Sequence, residues 1–156
     1  MPDLVALFAD PRVARYVGDG DPLSVEMAEL WVRNSRENLE RFGFGTGAVV
    51  DRTDGVLIGW CGFGRPAPDE EEVIYGLAHA YWGIGMGGEL LDALIDVWRV
   101  NRPNDGLRAT VDRDNAISVR LLKSRKFELA NTDWNGEAGT DLYIRPALGA
   151  TNGMVL

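Results

Sequence analysis

Residues 81–91, Tyr81-Trp82-Gly83-Ile84-Gly85-Met86-Gly87-Gly88-Glu89-Leu90-Leu91, hold four glycines in six positions and run straight into apolar residues at helical spacing. Leu90, Leu91, Leu94, Ile95 and Trp98 recur at i, i+1, i+4, i+5 and i+8, one face of an amphipathic helix. Upstream, residues 73–77 are β-branched and aromatic, the composition of a strand. The order is strand, glycine turn, helix. Glycine accepts positive φ and lets a ligand come close to the backbone. A helix start adds unpaired N–H groups at the positive end of the dipole. Together they suit a pyrophosphate.

Two phosphate-binding patterns fit this stretch poorly. A P-loop needs Gly-Lys-Ser/Thr, but Glu89 follows Gly88. The dinucleotide fingerprint G-x-G-x-x-G is matched by residues 83–88, a weak match in a chain with 19 glycines among 156 residues. The acidic residue expected some 20 positions on is missing, since position 108 is Arg and Asp105 falls in a turn. That reading is set aside, and a titration with NAD tests it.

The stretch resembles the cofactor cradle of the GNAT acyl-CoA-dependent N-acetyltransferases, Arg/Gln-x-x-Gly-x-Gly/Ala. Gly85 and Gly87 match, and Trp82 stands at the Arg/Gln place. Tyr81-Trp82-Gly83-Ile84-Gly85 is similar to the Tyr-Trp-Gly-x-Gly of the RimJ/RimL-like branch. Downstream, Asn115, Ser118, Leu121 and Phe127 resemble the family's Asn-x-x-Ser-x-x-Leu run that ends in Gly-Phe, with Lys126 replacing the glycine. The resemblance covers roughly residues 4–145. It implies an α/β fold with a mixed, mostly antiparallel central sheet and helices on both faces.

At 156 residues the chain is expected to form one domain over 1–146, with 147–156 a flexible tail. No apolar run reaches transmembrane length and no signal peptide is evident, so the expected setting is cytoplasmic, away from membranes. The net charge of −8 disfavours nonspecific nucleic-acid binding. Residues 99–126 nevertheless carry eight basic side chains against three acidic ones. That segment could lie near an anionic cofactor or form a solvated face. Cys61 is the lone cysteine and His79 the lone histidine, so neither a disulfide nor a metal site is expected.

Residues 4–17 read as helical with a break or fresh start at Asp10-Pro11, and Ser24 reads as the N-cap of a helix running to about Arg41. Its inner face is expected at Ala28, Trp31, Val32, Ser35, Leu39 and Phe42. Residues 48–50 and 56–63 read as strands joined by an Asp54-Gly55 hairpin turn. A strand over 107–111, a helix from Asn115 and strands over 127–129 and 141–144 follow. The resemblance implies an opening strand ahead of the first helix. None reads here, so a sheet edge would be left uncovered, or covered by another chain or by the tail, and a homodimer is one outcome.

The resemblance also implies roles. Glu72, in a Glu-x-x-Tyr run, stands where the family often has a glutamate general base for the attacking amine; its bland alternative is the end of an acidic loop. Leu77 and Ala78 would supply backbone groups to the pantetheine arm and the thioester carbonyl. The amides of Ile84, Gly85, Met86, Gly87 and Gly88 would hold the pyrophosphate, and Asn115 would contact the arm or simply cap its helix. Many relatives carry a proton-donating tyrosine seven residues after that asparagine; Leu122 is there instead. Ser118 is the substitute acid, with Tyr143 a weaker option. The implied function is transfer of an acetyl group from acetyl-CoA to a primary amine, a protein N-terminus or a small molecule, in a ternary complex. The alternative is a degenerate, non-catalytic protein that binds acyl-CoA or a partner.

Overall fold

Asp10 does what the Asp-Pro pair predicts. α1 spans Pro2–Phe8, and α2, Pro11–Ala14, starts at an Asp10 cap whose carboxylate accepts the Arg12 N–H at 3.0 Å. The Arg12 guanidinium grips the same carboxylate at 2.9 and 2.6 Å and lowers its pKa to about 2. In this computed structural model residues 2–65, 67–68 and 70–147 are described. All of the expected tail but Ala147 lies outside them. The chain divides into two compact units, Met1–Leu90 and Leu91–Leu156.

In the first unit α3 spans Val25–Phe42, capped by the Ser24 hydroxyl and ended by Gly43 in the left-handed region at φ +77°. Ala28 and Ser35 are buried as expected, but Leu39 is 58% exposed. Its inner neighbour is Gly45, which offers no side chain to cover it. One turn earlier the Ser35 hydroxyl donates to the Thr46 carbonyl at 2.7 Å, and the Trp31 indole N–H donates to the Thr46 hydroxyl at 3.1 Å.

β1 (Thr46–Val50), β2 (Leu57–Gly64) and β3 (Glu72–Leu77) pair antiparallel in that order. The first turn is longer than the expected two residues. Asp51 N–H donates to the Val56 carbonyl at 2.9 Å and Gly55 N–H to the Asp51 carbonyl at 2.8 Å. The Asp51 and Asp54 carboxylates satisfy the amides of Thr53 and Val56, which stabilises the wider loop. Among the described residues no strand precedes α1, and β2 is the one strand neighbour of β1.

The core of this unit is a stack of rings. Phe8, Trp31 and Trp60 meet at centroid distances of 4.7–5.8 Å, with Leu7, Val13 and Ala14 packed around them. Trp60 needs a gap on β3, and Gly76 provides it: a Cβ there would lie 2.2 Å from the indole.

α4 spans Met86–Asn101, and the boundary between the units falls inside it. In the second unit Leu91, Leu94, Ile95 and Trp98 of this helix are buried, the face its spacing predicts. β4 (Leu107–Asp112), α5 (Ala116–Ser124), β5 (Glu128–Asn131) and β6 (Thr140–Arg145) follow. β6 pairs antiparallel with both β4 and β5. The α/β class with a mostly antiparallel sheet is therefore as expected, with six strands. Lys126, at the family's glycine place, keeps a glycine-like φ of +65°.

Candidate functional site

The glycine turn adopts the predicted form. Gly83 and Gly85 have φ of +74° and +90°, so both need glycine for backbone reasons. A Cβ at either would meet nothing within 4 Å, so the space above the turn is open. α4 begins at Met86, one residue later. The amides of Gly88 and Glu89 donate to the Gly85 carbonyl at 3.0 and 3.2 Å. Gly88, expected among the cofactor donors, thus has its amide engaged in the helix start. Among the described residues of this unit, no hydrogen bond takes the amides of Ile84, Gly85, Met86 or Gly87. Those four form the N–H set at the positive end of α4.

β3 leads to this turn. Its Ala78 end donates N–H to the Ile58 carbonyl at 2.7 Å. Alternate residues of an antiparallel strand direct both backbone groups to the same neighbour. Glu72, Ile74, Gly76 and Ala78 therefore address β2, and Leu77 turns its groups the other way. Of the two residues expected to offer backbone groups, Ala78 has its amide committed to Ile58, and Leu77 directs its amide away from β2. The Leu77 carbonyl accepts the Trp82 indole N–H at 2.7 Å. Between them, His79–Tyr81 forms a 3-10 turn, with the His79 ring 4.9 Å from the Trp82 ring. The Tyr81 hydroxyl reaches the Asp51 carboxylate at 3.4 Å, and burial together with that charge raises the Tyr81 pKa.

Glu72 is the first residue of β3, opposite Gly64 and half-buried. Glu71 behaves differently from the rest of the acidic run. It is buried, and it accepts from the Arg65 guanidinium at 3.1 Å, while Arg65 lies 3.8 Å over the Phe42 ring. Cys61 is half-buried on β2, and burial raises its thiol pKa.

The second unit holds the remaining candidates. The Asn115 side-chain oxygen accepts the Ser118 N–H at 3.2 Å, an N-cap for α5 that leaves the Asn115 amide nitrogen for other uses. Ser118 is half-buried one turn into the helix. Leu122 is buried, and so is Tyr143, whose neighbours across the sheet are Ala109 and Leu129. Trp134 lies in a short 3-10 turn with the Arg108 guanidinium 5.2 Å from its ring.

The basic segment is largely used internally. Arg99, Arg102 and Arg125 pair with Asp96, Asp105 and Asp92 at 3.1–3.5 Å. Arg113 holds Asp141 at 2.6 and 3.1 Å and Asp133 at 3.0 Å. Sequence reading missed the Trp82–Leu77 bond and the Arg65–Glu71 pair; a five- or six-residue separation across a turn carries no periodic signal.

Comparison with known proteins is consistent with this geometry. A family model described as an acetyltransferase (GNAT) domain matches residues 1–128. An uncharacterized N-acetyltransferase, p20, of Bacillus licheniformis is 29% identical over 130 residues, 80% of this chain and 71% of that protein. An acetyltransferase structure from Agrobacterium tumefaciens superposes with a TM-score of 0.74 at 23% identity, covering 92% of this chain and 82% of its own. The structure of RimL, a ribosomal L7/L12 alpha-N-protein acetyltransferase in complex with coenzyme A, gives 0.76 at 17% identity, covering 94% and 88%.

Proposed function

Because the chain belongs to the GNAT acetyltransferase family, we propose that this acyltransferase moves an acetyl group from acetyl-CoA to a primary amine by direct attack in a ternary complex. The observation that carries the reading is the run of four amides, Ile84 to Gly87, under open space at the head of α4. Such a set holds a pyrophosphate without Lys or Arg, and neither occurs between Arg65 and Arg99. The coenzyme A bound in the RimL structure supports the same donor. The match across both units supports a single catalytic domain.

In this reading Leu77 N–H polarises the thioester carbonyl. The amine nitrogen bonds to the acyl carbon, the carbon–sulfur bond breaks, and coenzyme A leaves as a thiolate. Glu72 accepts the proton from the amine. Glu72 and Leu77 are five residue steps apart on β3, about 16 Å at ~3.3 Å per residue, and the carboxylate takes the proton directly or through water. Leu122 offers no acid, so Ser118 or solvent protonates the thiolate, while the Asn115 amide nitrogen steadies the arm. The acceptor is a protein N-terminal amine or a small-molecule amine.

Titration calorimetry with acetyl-CoA tests the donor, and thiol release across an amine panel tests the transfer. Gly85→Asp puts a strained side chain and a negative charge on the turn, and its expected outcome is loss of acetyl-CoA binding. Unchanged affinity in that variant would refute the cradle. Glu72→Gln is expected to lower turnover by roughly 10²–10⁴ with donor affinity retained; a normal rate across the pH range would remove Glu72 as the base.

A further inference from the structure

We propose that Trp82 is a positioning residue that sets the spacing between the phosphate-binding turn and the carbonyl-polarising end of β3. The inference rests on the acyl-CoA reading above and concerns how this chain holds the two ends of that donor in register. The indole N–H donates to the Leu77 carbonyl at 2.7 Å, closing a loop of six residues. Leu77 and Trp82 are the two ends of that loop. Leu77 carries the amide directed away from β2, and Trp82 immediately precedes the Gly83–Gly85 turn with its four amides.

Within the loop, Tyr81 N–H donates to the Ala78 carbonyl at 2.9 Å and Trp82 N–H to the His79 carbonyl at 3.1 Å. Those bonds shape the short turn, but neither reaches the strand. The indole bond alone joins the Trp82 side chain back to β3. The His79 ring, 4.9 Å away, flanks the indole and limits its rotation. Trp82 is 38% exposed, so its ring adds little to the core. Its position is where the resembling motif carries Arg or Gln, and all three side chains end in an N–H donor. A strand-end carbonyl held by such a donor fixes the distance between amides that must grip one extended molecule at two points. Without that bond each grip survives, but their separation is no longer set in advance, and ordering it falls to the ligand.

Trp82→Phe keeps an aromatic ring and deletes the donor. Two probes separate the outcomes: ADP, which carries the pyrophosphate without the arm, and acetyl-CoA, which spans both grips. The expected result is ADP affinity within twofold of wild type and acetyl-CoA affinity reduced about tenfold, the scale of one hydrogen bond. Equal losses for both probes, or loss of ADP binding altogether, would mean that Trp82 maintains the turn itself and would overturn the proposal. Unchanged acetyl-CoA affinity would overturn it as well. Wild-type protein separates this failure from that of the parent reading: if it does not take acetyl-CoA, the donor assignment fails, and if it does and the variant equals it, only the role of Trp82 fails.

Discussion

Gly76 and Lys126 are two positions where the backbone or a neighbour dictates the residue, and they respond to substitution in opposite directions. At Gly76 a Cβ would sit 2.2 Å from the Trp60 indole, and that indole is clasped by Phe8 and Trp31 and cannot retreat. Gly76→Ala is expected to destabilise the fold by roughly 1–3 kcal/mol through overpacking, read as a lower urea midpoint; a midpoint equal to wild type would show that the ring cluster is loose. At Lys126 a side chain occupies φ +65°, and the turn that requires it is closed by the Lys126 and Phe127 amides on the Lys123 and Leu122 carbonyls. Lys126→Gly relieves that strain and is expected to add about 1 kcal/mol of stability. A loss of stability in that variant would mean that the added chain entropy of glycine outweighs the strain.

Elements were legible wherever they announce their own ends. Asp10-Pro11, Ser24, Gly43 and Asn115 are local chemistry, and each sits within a residue of an observed helix boundary. The glycine turn was legible for the same reason, since positive φ is a single-residue demand. What sequence could not supply depends on partners brought in by the fold. Leu39 follows the helical period of its inner face yet stays exposed beside Gly45. Glu71 and Glu72 are neighbours in one acidic run, but strand alternation buries the first against Arg65 and leaves the second half-exposed. Register commits the Ala78 amide to the Ile58 carbonyl, a partner that no local pattern names. Asn115 shows how an element and a site can share one side chain. Its oxygen caps α5, and its amide nitrogen is the group left for a ligand. Asn115→Asp retains a capping oxygen and removes that nitrogen. Thermal stability is expected to stay near wild type, whereas Asn115→Ala costs about 1 kcal/mol. If acetyl-CoA affinity is also unchanged in Asn115→Asp, the residue is a cap and nothing more.

Across the whole molecule, six carboxylates share one sign: Asp10, Glu26, Asp51, Asp92, Asp133 and Asp141 are all lowered. Hydrogen bonds from Arg12 lower Asp10 to about 2. A backbone N–H at its own residue lowers Glu26, and the Thr53 amide lowers Asp51. In the second unit Arg125 lowers Asp92, the Gly139 amide lowers Asp133, and Arg113 lowers Asp141. A group with a folded pKa below its unfolded value stabilises the fold above the unfolded pKa. It loses that contribution as pH falls through the folded one, because the unfolded chain binds the proton first. These carboxylates therefore predict a melting temperature that is flat between about pH 5 and 8 and falls from the ordinary carboxylate range near 3.8 toward about 2. Arg113 provides the internal control. Asp141 is buried, and Arg113→Ala leaves it there without its cation. The expected result is a lower melting temperature at neutral pH, because the buried carboxylate loses its partner. Protonated Asp141 no longer needs the arginine, so the deficit should shrink as the pH is lowered from 7 to 3. A deficit that stays constant over that range would place the cost of the variant in lost packing, and a wild-type melting temperature that rises on acidification would contradict the common sign of the six carboxylates.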